Sequence, residues 1–219
     1  MKKLLFIFSF LLTFIIIDGQ GLLPGVVSSQ SVASQGASGG AAYTDDFESY
    51  TADGPTYLGG QGLRKDIVAN SFGVQTVSGD KCAKQVSVSN GAIAYDNTVA
   101  DNQYATITYN SGAGGYIGPA VRLGADASGN GYISFGGSSG LYLRRIDAAS
   151  STSLAGGETN GLSDGDVVKI TANGTTIKVY VNDVEKLSVT DATYSSGRTG
   201  MGVFPNGDAF AESWTGGDL

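Results

Sequence analysis

The side chains that could carry chemistry are few. The chain has no histidine, one cysteine and four glutamates, Glu48, Glu158, Glu185 and Glu212. Without histidine there is no Ser-His-Asp or Cys-His nucleophile and no imidazole-based metal site. Glycoside hydrolysis remains open in principle, because it needs only two carboxylates at a set separation. None of the four glutamates has an aspartate two residues on with another glutamate beyond it. Asp164-Gly-Asp166 has the i, i+2 spacing that puts two carboxylates on one strand face, but it lies beside glycine, where aspartate makes turns. A hydrolase would therefore need carboxylates that folding alone brings together, and no catalytic residue is assigned. Oxygen ligands are better represented. Asp126-Ala-Ser-Gly-Asn130 alternates oxygen-bearing side chains, and Asp45-Asp46 would approach Asp218 if the first and last strands paired. Such clusters suit calcium in a structural role. The Asp126 segment is too short for an EF-hand loop and lacks its closing glutamate, and a plain Asp/Gly turn is the favoured reading. No other cofactor is expected.

Rings and a guanidinium offer a second kind of chemistry. Tyr104, Tyr132, Tyr142 and Trp214 fall in alternating segments, and Arg144 stands two residues after Tyr142. Rings stack on sugar faces, and planar donors bond sugar hydroxyls, so these five are the candidate carbohydrate-binding residues. The competing reading is core filler or cross-strand pairing, ordinary for aromatic residues in strands. Alternation in Leu141-Tyr-Leu-Arg-Arg-Ile146 puts Tyr142 and Arg144 opposite Leu141 and Leu143. Tyr132 joins that face if Ser134 is exposed while Ile133 and Phe135 are buried. Cys82 reads as a small, half-buried hydrophobe. Being alone, it forms no intramolecular disulfide, and no cysteine follows the leader to take a lipid.

The elements that must position these residues are strands. The chain has 219 residues with 34 glycines and 15% charged residues. That much glycine without a three-residue period, set between short alternating runs, implies many turns joining short strands. Gln103–Tyr109 places Ala105, Ile107 and Tyr109 on one face and Tyr104, Thr106 and Thr108 on the other. Asp166–Thr171 and Thr176–Val181 flank Asn173-Gly174, a strong hairpin signal, and Asn182-Asp183 turns the chain into Glu185–Val189. Asn173-Gly-Thr175 also matches a glycosylation acceptor, which the turn explains without modification. Further strands are expected at Gln85–Ser89, Ala120–Leu123, Tyr132–Phe135, Leu141–Ile146, Gly200–Phe204 and Ala209–Trp214. No capped 3.6-residue period follows residue 20, and no long repeat is present. Two packed antiparallel sheets are the expected architecture, with a closed barrel as the alternative.

Ahead of these strands, Lys2-Lys3 and the uncharged run Leu4–Ile17 have the n- and h-regions of a secretory signal, and the run is too short to span a bilayer as a helix. Residues 1–27 are read as a signal peptide or an uncleaved membrane anchor. Residues 28–42, SSQSVASQGASGGAA, read as a flexible linker, and residues 43–219 as one folded domain.

Asp45-Asp46-Phe47, Asn130-Gly-Tyr-Ile-Ser-Phe135, the run Gly165–Asn182, Thr190-Asp191, Ser196–Gly202 and Trp214–Leu219 resemble concanavalin A-like lectin/glucanase domains of the laminin-G type. The resemblance spans residues 43–219 and implies an all-β antiparallel sandwich, a jelly roll. Domains with this fold serve as glycan-binding modules, glycosidases, lyases, adhesins and virion components, so the fold alone selects no function. The expected function is an exported, non-catalytic, carbohydrate-binding module, secreted or held at the cell surface, whose partner is a glycan or polysaccharide. The alternative is a structural module of a fibre, adhesin or phage virion that self-associates. A net charge of −7 with scattered basic residues disfavours nucleic acid. Membrane contact is expected only through an uncleaved leader.

Overall fold

The computed structural model describes residues 42–50, 64–66, 72–85, 91–95, 99–112, 114–124, 130–148, 150–158, 161–204 and 208–219. The expected leader, and the linker up to residue 41, lie outside the described residues. Among the described residues there is no helix, and hence none long and apolar enough to cross a membrane.

Fifteen strands lie among the described residues: β1 (Ala42–Asp45), β2 (Arg64–Asp66), β3 (Phe72–Val77), β4 (Asp80–Gln85), β5 (Gly91–Tyr95), β6 (Gln103–Ser111), β7 (Tyr116–Leu123) and β8 (Gly131–Gly137), followed by β9 (Gly140–Asp147), β10 (Ser150–Gly157), β11 (Val167–Asn173), β12 (Thr176–Val181), β13 (Val184–Thr190), β14 (Arg198–Phe204) and β15 (Ala209–Asp218). They form two antiparallel sheets. Sheet I has the order β13-β12-β11-β6-β15-β4-β3, with β1 also paired to β15, and sheet II the order β10-β9-β8-β7-β14-β5-β2. Their inner faces pack into one core, so the fold is the sandwich and not the barrel.

Period-two alternation builds sheet I as expected. Ala105, Ile107 and Tyr109 are buried, whereas Tyr104, Thr106 and Thr108 are half-buried on the outer face. The register Val168↔Val181, Ile170↔Val179 and Ala172↔Ile177 stacks apolar side chains on the same inner face. The hairpin turn lies one residue later than the sequence suggests. Asn173 still pairs with Thr176, and Gly174-Thr175 form the loop, with Gly174 at φ 53°. Glycine thus takes the first central place of a two-residue loop, where a positive φ is needed. Asn182 and Asp183, at φ 50° and 62°, make the next hairpin turn.

Other strands depart further from expectation. The segment β10, SSTSLAGG, has no apolar alternation to signal it, and it is an edge strand with mostly exposed or half-buried residues. Near residue 85 the strand is β4, Asp80–Gln85, and the rest of the expected Gln85–Ser89 lies outside the described residues. Cys82 is fully buried, beyond the half-burial expected. Burial first, then Glu212, Asp80 and Glu48, push its thiol up to about 12, which leaves it an inert hydrophobe.

Trp214 ties the two sheets together. It lies on β15 opposite Ile107, is 1% exposed, and donates its indole Nε1–H to the Gly200 carbonyl of sheet II at 2.9 Å. Removing it would open a large cavity and delete this bond between the sheets. Trp214→Ala is expected to cost about 3–5 kcal/mol of stability in denaturant unfolding followed by circular dichroism. A loss below about 1 kcal/mol would contradict the core placement.

Candidate functional site

Strand β8 is buried at every one of its positions, Gly131–Gly137. Tyr132 and Ser134 face the core, while Ile133 and Phe135 face the other side of sheet II, where they cluster with Ala120 and Leu123 and pack against Tyr116, Ile146 and Phe204. The pairs Ile133↔Arg144 and Phe135↔Tyr142 bring Tyr142 and Arg144 onto this outer face. Sheet II therefore presents a second apolar floor, rimmed by half-buried rings and one guanidinium.

The rim is interlocked. Tyr116 and Tyr142 meet edge to face with centroids 5.6 Å apart, and Phe135 and Phe204 do the same at 5.7 Å. The Arg144 guanidinium carbon lies 4.9 Å from the Phe204 ring centre and 5.6 Å from that of Tyr142, and Arg144 Nη1 donates to Ser151 Oγ at 3.2 Å. Tyr116 and Ser139 share a hydroxyl–hydroxyl bond of 2.7 Å. Gly202 keeps the floor open, since a Cβ there would stand 2.7 Å from Ile133 and 3.2 Å from Phe135. Burial, then the neighbouring Tyr116 phenol and Glu158, push the Tyr142 phenol up against the opposing pull of Arg144, so it stays a neutral donor at physiological pH. The result is a set of partly exposed ring surfaces beside a fixed planar donor.

No protein-family model matches the chain, and no curated protein does. Solved structures do. The carbohydrate-binding module CBM66 from Bacillus subtilis aligns with a TM-score of 0.55 at 19% identity, over 68% of this chain and 91% of that one. The Bacillus licheniformis beta-glucanase aligns with a TM-score of 0.51 at 14% identity, over 83% of this chain and all of the other. A Bacillus subtilis protein with a galectin-like fold aligns at 0.51 and 13% identity, over 68% of this chain and 87% of its own. The fold is the concanavalin A-like jelly roll.

Within this concanavalin A-like sandwich the five residues expected to bind carbohydrate separate. Tyr142 and Arg144 share the outer face of sheet II. Tyr104 lies on the outer face of the opposite sheet, half-buried, with Lys169 Nζ 5.4 Å from its ring centre. Tyr132 and Trp214 do not project from either face; both are buried between the sheets. The Tyr132 placement fails because burying Ile133 and Phe135 does not expose their neighbours: both faces of β8 are covered. Tyr116, Phe204 and Ser151 complete the rim without a distinguishing signal in the sequence. Phe204 ends an expected strand, Tyr116 precedes the expected start of one, and Ser151 sits on the strand without a pattern.

The carboxylates singled out in the sequence do not gather into a site among the described residues. Asp164 Oδ1 accepts from the Ser111 N–H, and Asp166 accepts from the Ser163 N–H and the Asn182 amide, so this pair builds a turn. Glu48 accepts from the Lys81 N–H, Glu212 from the Asn110 amide, and Glu185 pairs with Lys178 at 2.8 Å. Strands β1 and β15 do pair, but Asp45 stands opposite Trp214, while Ala42 at the other end of β1 pairs with Gly217 beside Asp218. Asp45, Asp46 and Asp218 accept from the backbone N–H groups of Phe47, Glu48 and Ala100. Among the described residues no three acidic, cysteine or histidine side chains gather as a cation site. Of the Asp126–Asn130 segment only Asn130 lies within the described residues, and its Oδ1 accepts from the Ala148 N–H at 2.6 Å.

Tyr132 belongs to a polar network at one end of the sandwich. Its hydroxyl donates to Asp191 Oδ1 at 2.7 Å and accepts from the Tyr194 N–H at 3.1 Å. Arg145 Nη1 donates to Asp191 Oδ2 at 2.7 Å, and Arg145 Nε bonds Asp147, which also accepts from the Tyr194 hydroxyl at 2.6 Å. Burial raises the Asp191 carboxyl, but hydrogen bonds from Tyr132, Thr193 and Arg145 outweigh it and hold the group well below the usual carboxylate range. A depressed carboxyl stabilises the fold above its unfolded value of about 3.9, and that stabilisation is lost as pH falls toward the folded value. Asp191→Asn is therefore expected to cost about 1–3 kcal/mol at neutral pH and to flatten the acid limb of the unfolding profile below about pH 4. An acid limb as steep as that of the parent would contradict this role.

Proposed function

We propose that this protein is a non-catalytic carbohydrate-binding module whose ligand lies on the outer face of sheet II, across Tyr142, Tyr116, Arg144 and Phe204. The observation that carries the reading is the clamped guanidinium. Arg144 is held between two rings and bonded to Ser151, so its donors are oriented before any ligand arrives, and the neighbouring rings stay half exposed. A sugar ring has apolar C–H faces and a girdle of hydroxyls, and it needs this pairing of stacking surface with planar donor. Preorganisation spares the ordering cost that a mobile arginine would incur on binding. The fold shared with a carbohydrate-binding module, a glucanase and a galectin-like protein is consistent with the reading, as is a leader that would export the chain to where polysaccharides are met. At the β13 edge of sheet I, Glu185 and Lys186 are exposed, and charge on an edge strand discourages pairing with a neighbour there.

A glycan-array screen of the protein would identify the ligand. For the best glycan, Tyr142→Ala is expected to weaken binding by about 1–3 kcal/mol, roughly 5- to 150-fold, with little change in melting temperature. Unchanged affinity with a melting temperature lowered by many degrees would show Tyr142 to be structural and the face wrongly assigned.

A further inference from the structure

The polar end of the sandwich holds a second feature that the Tyr142 face does not use. Strands β7 and β14 slip by one residue: Ala120 pairs with Gly200, but Leu123 pairs with Arg198. The extra residue is accommodated in a bulge at Arg122, whose φ is 54°, a left-handed conformation that is costly for a residue with a Cβ. Gly197 makes room for it, because a Cβ there would stand 2.4 Å from the Arg122 carbonyl carbon. The bulge is fixed from the other sheet by Gln103, fully buried, whose Oε1 accepts from the Arg122 N–H at 2.9 Å.

What the bulge delivers is a buried cation that no carboxylate among the described residues binds. Arg122 is 2% exposed. Its Nε and Nη2 both donate to the Asp101 carbonyl, at 3.2 and 3.0 Å, and its Nη1 donates to the Tyr194 carbonyl at 2.9 Å. A guanidinium has five N–H bonds. One on each terminal nitrogen thus has no partner among the described residues, and free guanidinium donors suit an oxyanion. Arg122 also lines a recess of about 560 Å³ with Asp101, Asn102, Thr175, Ala192, Tyr194 and Ser195. Asn102 Oδ1 accepts from the Gly174 N–H at 2.8 Å, which leaves its amide N–H groups as donors beside the Thr175 and Ser195 hydroxyls. Asp101 opposes an anion, since its carboxylate is near enough to act on the Arg122 charge.

We propose that this recess is a second saccharide subsite, which takes the carboxylate of an acidic sugar, a uronic or sialic acid, on Arg122. The assignment to a saccharide rests on the carbohydrate-binding reading above. The volume is that of a small-ligand pocket, the rim donors match ring hydroxyls, and one buried cation among the described residues, in a chain of net charge −7, favours an isolated carboxylate over a densely sulfated polymer.

The test is calorimetric titration of the protein with glucuronate, galacturonate and N-acetylneuraminate, beside glucose, galactose and acetate. At least one acidic sugar should bind, and the neutral sugars and acetate should bind at least tenfold more weakly. Arg122→Gln should abolish that binding. Because this change touches a bulge, two exposed rim variants accompany it: Ala192→Phe, which fills the recess, should weaken binding more than tenfold, and Asp101→Asn, which removes the opposing charge, should tighten it severalfold. Tyr142→Ala should leave it unchanged. No binding of any acidic sugar, binding indifferent to both rim variants, or acetate binding as well as the sugars would overturn the proposal. Loss of acidic-sugar binding in Tyr142→Ala would move the ligand to the sheet face, overturning the recess but keeping the carbohydrate reading. Array glycans that ignore Tyr142 while acidic sugars still respond to Ala192→Phe would do the reverse.

Discussion

Strand β8 has no solvent side, and much of the molecule follows from that constraint. In a two-sheet sandwich each strand has one core face, and its other face ordinarily meets water. Here Tyr132 and Ser134 fill the core face, while Ile133 and Phe135 are equally buried on the other. Burying two large apolar side chains outside the core requires cover from neighbouring strands. Phe204 and Tyr116 supply it, with Tyr142 packed against Tyr116 and Arg144 across Phe204, and the aromatic rim is a consequence. Gly202 belongs to the same solution, since a side chain there would displace Ile133 and Phe135.

The opposite face of the same strand imposes a different demand. Tyr132 enters the core with a hydroxyl that must be bonded, and burying such a group unbonded is costly. Asp191 accepts its hydrogen bond, and Arg145 and Thr193 then balance the carboxylate. The connection between β13 and β14 is thereby pinned to sheet II. Tyr194, fixed in that connection, supplies a carbonyl to Arg122, so the network that satisfies one buried phenol also anchors the bulge arginine.

How far the sequence reveals this depends on whether one face of a strand is polar. In β6 the outward set is Tyr104, Thr106 and Thr108 against Ala105, Ile107 and Tyr109, so the phase is legible. In β9 the leucines opposite Tyr142 and Arg144 serve equally well. Tyr132-Ile-Ser-Phe135 carries apolar bulk on both faces, and placing the aliphatic set in the core inverts the strand. Trp214 misleads for a related reason, because a large amphipathic ring reads as readily as a ligand platform as it does as a buried donor to Gly200. The edge strand β10 lacks any apolar period, and Ser151 is hidden with it. The recess at Arg122 is invisible, since bulge formation depends on the register between β7 and β14, which no local pattern encodes.

Chemical-shift mapping locates the ligand residue by residue, and so separates the outer face of sheet II from every other surface. The protein, isotopically labelled and titrated with its best array glycan, should show its largest perturbations at Tyr116, Tyr142, Arg144, Ser151 and Phe204, with sheet I unmoved. Perturbations centred instead on Tyr104, Lys169 and Tyr180, on the outer face of sheet I, would contradict the account.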